Sequence, residues 1–336
     1  MPSFQLKILK QRLIPAVSAV FFTLIVVLGS VHGRELSDDL FDVSFSGEKD
    51  GWACGRMGSV LHTSNGGKTW VAQKSGTDFT LSSICFVDPK TGWAVGDGGT
   101  IIHTRDGGVT WEKQKSPVSY FLMGAYFANK RKGWIVTERT HILYTKDGGH
   151  TWQIQFSDED FILKRVSFCD ELNGWAVGEF GYTYHTNDGG VTWEHQAGEF
   201  DLSEETGEII GGNFLFDVIA VSPSTAWVAG IDGYVARTTD GGMTWRKTTK
   251  GVPRTHLFGI TTDRKGNVFL GGSATLHFSS DDGKIFQASR AEPAVEYGYI
   301  YSIRPRGRAG FVAVGSSGWI YLADRNMKLW QRVLRE

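Results

Sequence analysis

The octet "TRDGGVTW" at residues 104–111 returns as "TKDGGHTW" at 145–152, "TNDGGVTW" at 186–193 and "TTDGGMTW" at 238–245. Looser copies begin at Thr63 and Ser279, and a remnant, "ADRNMKLW", begins at Ala323. Two other marks keep step with it. An apolar residue opens each unit at Leu40, Leu81, Leu122, Leu163, Leu215, Leu257 and Ile300, with spacings of 41, 41, 41, 52, 42 and 43 residues. Gly-Trp or its relic falls at Trp52, Trp93, Trp134, Trp175, Trp227 and Phe269, and loosely at Phe311. Each full unit reads as four short strands; in the second these are "LSSICFVD", "GWAVG", "TIIHT" and "TWEKQ", bounded by Gly, Asp and Pro turn signals. Four strands every 40 to 50 residues, seven times over, predict an all-β, seven-bladed β-propeller of four-stranded antiparallel blades over 34–336. Each blade carries its own four strands, so the ring closes between complete blades.

In that fold the octet is the hairpin turn between third and fourth strands. Its Asp accepts backbone N–H bonds, Gly-Gly supplies positive φ, and its Trp packs toward a neighbouring blade. One turn per blade explains one octet per blade, so these carboxylates read as fold residues. The 43 glycines and 12 tryptophans fit the same architecture, since many short strands need both tight turns and large packing groups.

Residues 1–33 are of another kind. Lys7, Lys10 and Arg12 precede an apolar run from Leu13 to Gly29, the pattern of an export signal, either cleaved near Gly33 or kept as a membrane anchor. The remainder is therefore expected outside the cytoplasm, in the periplasm or its equivalent. Setting those three cations aside leaves 32 basic against 36 acidic side chains, which excludes a nucleic-acid-binding basic stripe. Cys54, Cys85 and Cys169 lie in apolar strands and read as buried free thiols, and no C-x-x-C is present. His62, His103 and His185 share one position before the octet, a packing position rather than a metal site. No cofactor is expected.

The pattern S/T-x-D-x-G-x-T-W is the Asp-box or BNR motif, complete at 104–111, 145–152, 186–193 and 238–245, with Asn65 in place of Asp in the first copy and Ile285-Phe286 closing the sixth. Together with the 41-residue unit and "GWAVG", it resembles the photosystem II assembly and stability factor family of seven-bladed propellers, over about Leu36 to Glu336. The resemblance implies a non-catalytic, monomeric propeller that binds a membrane-complex subunit or another protein. Sialidases and other glycoside hydrolases share the Asp box, so a carbohydrate-active propeller is the alternative. Sialidase-like relatives keep their site on the face away from the Asp boxes. The turns there offer Asp97, Glu138, Glu179 and Asp232, with Arg56 and Arg139. As solvated turn residues they do not single out a catalytic pair.

Two departures from the repeat point to function. The connection at 197–213 is about eleven residues longer than its siblings and acidic, with Glu199, Asp201, Glu204, Glu205 and Glu208. Phe79, Tyr120 and Phe161 share one position just before the first strand of blades two to four, with Phe121 beside them. With Arg56 and Arg139 they make the candidate protein-binding set.

Overall fold

The computed structural model describes residues 38–199, 201–202, 209–210, 212–263, 265–325 and 328–333. Segment 1–33, for which the sequence predicts an export signal, and Glu204, Glu205 and Glu208 of the long connection lie outside them. Seven antiparallel sheets follow one another, with first strands Leu40–Ser46, Leu81–Phe86, Leu122–Phe127, Leu163–Phe168, Leu215–Ser222, Leu257–Thr262 and Ile300–Pro305. In blade two the remaining strands are Gly92–Gly96, Thr100–Thr104 and Glu112–Gln114, as the sequence anticipates. Each first strand lies against the first strands of both neighbours, and that of blade one meets that of blade seven. The ring thus closes between blades that each own their four strands.

The Gly-Trp mark has a packing cause. In blades one to four the second strand is buried along nearly its whole length because it is covered by a blade on either side. Trp52 stacks on Phe86 of the next blade with ring centroids 3.5 Å apart, and Trp93 stacks likewise on Phe127 at 3.6 Å. The far face of each Phe ring lies across the Gly of its own blade, where a Cβ at Gly92 or Gly133 would come within 2.6 Å of it. Glycine makes room for the ring, and tryptophan from the preceding blade covers it.

The octets form the expected turns. Thr104 Oγ1 donates to Asp106 Oδ1 at 2.8 Å and accepts from Gly108 N, while Asp106 accepts from the backbone N–H and the hydroxyl of Thr110 at 2.9 and 2.6 Å. They also do something the sequence did not disclose: the carbonyl of the first octet glycine clasps the preceding blade. Gly107 O accepts from Trp52 Nε1 and Gln73 Nε2, both at 2.9 Å, and Gly148 O accepts from Trp93 and Gln114 in the same way. At the ring closure Arg306 Nη1 donates to Gly66 O at 2.6 Å. Octet tryptophans reach backward as expected, Trp152 packing with Trp93 and donating to Gln114.

Two details differ from the sequence reading. Blade seven has a fifth strand, Arg290–Glu292, which pairs in parallel with the outer strand Leu329–Arg332. The connection leading into Ile300 is long enough to lie along that edge and cover its unpaired backbone groups. The three cysteines are free, but only Cys54 is fully buried; Cys85 and Cys169 are half-buried. His62, His103 and His185 stack on the Gly-Trp ring of their own blade. Within the long connection, Asp201–Leu202 pairs antiparallel with Ile209–Ile210.

Candidate functional site

The first strand of every blade carries a β-bulge immediately after its opening Leu or Ile. A bulge places two successive residues opposite one partner and re-aims their side chains. Here both turn to the ring axis. The first of the two is Phe41, Ser82, Met123, Lys164, Phe216, Phe258 or Tyr301, and all seven line one central cavity of about 550 Å³. The second is Asp42, Ser83, Gly124, Arg165, Asp217, Gly259 or Ser302, and from this deeper tier comes the cavity floor.

That floor is a buried ion cluster. Arg165 grips Asp42 through two nitrogens at 2.9 and 3.2 Å and approaches Asp217 at 3.5 Å. Arg304, two residues further along blade seven, donates to Asp217 at 3.0 and 3.4 Å and lies 3.7 Å from Asp42. Ser83 and Ser302 each donate to Asp42 at 2.8 Å. Burial would push the Asp42 carboxyl up, but the two guanidiniums and these hydrogen bonds outweigh it and hold the pKa at about 2. The carboxylates in turn raise Arg165 against its own burial cost. Arg165 and Arg304 also line a second cavity, of about 200 Å³, so the cluster separates two chambers along the axis.

The upper cavity is asymmetric. Phe216, Phe258, Tyr301 and Phe41 form a continuous aromatic arc over blades five, six, seven and one, with successive centroids 4.8, 5.6 and 5.2 Å apart. Across from it stands Lys164, whose ammonium has no hydrogen-bond or ion-pair partner among the described residues. Burial and the adjacent Arg165 guanidinium lower its pKa to about 8, against the pull of Asp42 and Asp217.

Of the six residues singled out in the sequence, Arg56 and Phe121 line this cavity. Arg56 pairs with Asp39 at 3.2 Å and lies over the Phe41 ring. Phe79 is 51% exposed and rests on the Gly98 turn. Tyr120 hydrogen-bonds to His141 and lies under the Arg139 guanidinium. Phe161 packs on Phe180 and Tyr182, and Phe180 also abuts Gly212 at the base of the long connection. Phe180 and Asp232 hold φ at +53° and Met57 and Ser317 at +51°, all at the same turn position, a strained backbone that recurs from blade to blade.

The four turn carboxylates are not a cluster. Glu138 alone lines the cavity and accepts from Phe121 N; Glu179 accepts from Ile162 N, Asp97 from Gly98 N, and Asp232 stands beside His256. Among the described residues no group of His, Cys, Asp and Glu is arranged to hold a metal ion. Sequence reasoning missed Lys164, Asp42, Arg165, Asp217 and Arg304. The available signal was charge in a strand that should be buried, as in "LKRVSF" at 163–168 and "LFDV" at 40–43 and 215–218.

A model of the family described as photosynthesis system II assembly factor YCF48 matches residues 31–116, 69–159 and 109–209, together more than half of the chain. The chain belongs to that family. No curated protein sequence matches it. Among solved structures, a YCF48 bound to a D1 peptide superimposes with a TM-score of 0.67 at 21% identity, covering 86% of this chain and 94% of that one. YCF48 from Cyanidioschyzon merolae gives 0.68 at 17% identity, covering 84% and 94%. The Niastella koreensis GH74 enzyme gives 0.68 at 14% identity, covering 88% of this chain and 54% of the enzyme. These likenesses establish the propeller fold shared by YCF48 proteins and unrelated enzymes.

Proposed function

We propose that this YCF48-family chain is a non-catalytic docking protein that binds a segment of another protein at the mouth of the central cavity. Its partner is a subunit of a membrane complex whose assembly or stability it assists, outside the cytoplasm, where its N-terminal segment would direct it. One observation carries the reading. The seven first strands share an opening Leu or Ile, yet the residue that follows it is Phe, Ser, Met, Lys or Tyr, and all seven of these residues converge on one aromatic-walled cavity. A repeat that keeps its scaffold and diversifies one convergent surface is suited to recognition. That a YCF48 was solved with a D1 peptide supports a peptide-like partner here.

A glycosidase reading would need two carboxylates flanking a bond, one of them free to act as acid. The carboxylates lining the cavity are Glu138, tied to a backbone N–H, and Asp217, held by Arg304 and Arg165. The docking reading is the one this arrangement favours. It is tested by crosslinked recovery of the partner from membranes. Phe121→Ala and Arg56→Gln should each lower recovery, and Asp106→Ala in an octet should not. Loss with the octet variant at unchanged folding, or turnover of a β-glucan by the wild type, would contradict it.

A further inference from the structure

The cavity lining holds a cation that no carboxylate touches among the described residues. In the floor, Asp42 and Asp217 are matched by Arg165 and Arg304, so the cluster is neutral and its carboxylate oxygens are committed. Glu138, at the wall, faces the Phe121 N–H. Lys164, in the lining of a largely apolar chamber, feels Asp42 and Asp217 only at a distance and makes no hydrogen bond or ion pair among the described residues. A cation in such a setting is costly unless an anion joins it. The aromatic arc on the other wall offers a flat apolar surface, and the floor makes the cavity a dead end. Its volume lies within the range of about 300–1,000 Å³ usual for small-molecule sites.

We propose that the central cavity binds a small organic carboxylic acid, with its carboxylate on the Lys164 ammonium and its apolar body against Phe216, Phe258 and Tyr301. This goes beyond the docking reading, because the ligand sits inside the chamber and needs no partner at the mouth. Selectivity follows from the asymmetry: a neutral isostere keeps the aromatic contacts and loses the ion pair, whereas an inorganic anion keeps the ion pair and loses the contacts.

The test is calorimetric titration of the full chain with a series of ω-phenyl alkanoic acids, beside the corresponding primary amides and inorganic phosphate. At least one acid should saturate a single site, more tightly than its amide by roughly ten- to a hundredfold, the worth of a charge-assisted hydrogen bond. Lys164→Met should bring the acid down to the amide's affinity and leave the amide unchanged; Lys164→Arg should retain the preference. Phe258→Ala should weaken acid and amide alike. Should Lys164→Met fold poorly, the NMR signal of the Lys164 ε-methylene in the wild type serves instead, shifting with acid and not with amide. Absence of saturable binding across the series, equal affinity for acid and amide, or an acid affinity that survives Lys164→Met and falls with Arg56→Gln would each overturn the proposal.

Discussion

The octet rim and the axis of this propeller are built from the same repeat, and they treat it in opposite ways. On the rim, Thr104, Thr145, Thr186 and Thr238 each bind an aspartate two residues on, with distances that agree to within 0.1 Å. At the axis, positions related by the same repeat carry Phe, Ser, Met, Lys or Tyr. The backbone register is shared, since every first strand bulges at the same point. What differs is the demand on the side chain. A rim residue must satisfy its own turn and the blade before it, which is the same task every time. An axial residue shares one cavity with six others of the ring, and its task depends on them.

The comparison can be broken by substitutions at matched depth. Trp93→Ala removes a fully buried ring that stacks on Phe127 and His103 and donates to Gly148, and should cost about 3–5 kcal/mol in urea unfolding. A loss below about 1 kcal/mol would mean that the blades hold together by other means. At the axis, Asp42→Asn leaves two guanidiniums facing one carboxylate and should cost about 3 kcal/mol. Replacing Asp42, Asp217, Arg165 and Arg304 together with apolar residues of similar size should cost far less, because the desolvation of four charges goes with them.

Acid sharpens the same contrast. The Asp42 pKa is about 2 in the fold and about 3.9 in an unfolded chain, so its contribution is complete above pH about 4 and is lost as pH falls through about 2. The difference in unfolding free energy between wild type and Asp42→Asn should therefore shrink by about 2–3 kcal/mol from pH 5 to pH 2. A difference that stays level would show that folding does not lower the Asp42 pKa, and one that grows toward acid would show a carboxyl kept protonated in the fold. The octet carboxylates Asp106 and Asp147 are also held at about 2, the first by Thr110 hydrogen bonds and the second by Thr151 bonds that outweigh slight burial. They titrate in both proteins and cancel in the difference.

Smaller effects should separate rim from loop face. Asp106→Ala should lower stability by about 1 kcal/mol, since the turn is solvent-exposed and water replaces part of what is lost. Phe79→Ala, at a half-exposed ring, should change stability by less than about 0.5 kcal/mol. If the aromatic band docks the partner, that variant should nonetheless reduce partner recovery, and normal recovery would remove Phe79 from the interface.

Much of the architecture was legible because local turn chemistry and blade packing repeat together. Leu81, Trp93 and Asp106 announce a strand, a packing ring and a turn by recurring at intervals of 41 residues. The site was harder to see for the same reason. Lys164 occurs once at its position and Asp recurs at the next one only in blades one and five, as Asp42 and Asp217, and an occasional charged residue in a strand looks like an exception until the bulge is known to aim it at the axis. Arg56 and Phe121 drew notice in the sequence because turn residues and pre-strand aromatics stand out against the repeat, and both lie in the cavity wall. The fifth strand of blade seven went unseen because Arg290–Glu292 lacks strand-like alternation and owes its pairing to the free edge beside it.

The central claim is that the diversified axial mouth, and not the uniform octet rim, meets the partner. It is tested most directly by placing a photo-crosslinking phenylalanine analogue at position 121, on the cavity wall, or at position 109, an exposed octet tip, and irradiating membranes that contain each protein. The account predicts a discrete covalent adduct from position 121 and none from position 109. An adduct from position 109 with none from position 121 would place recognition on the Asp-box face and contradict it.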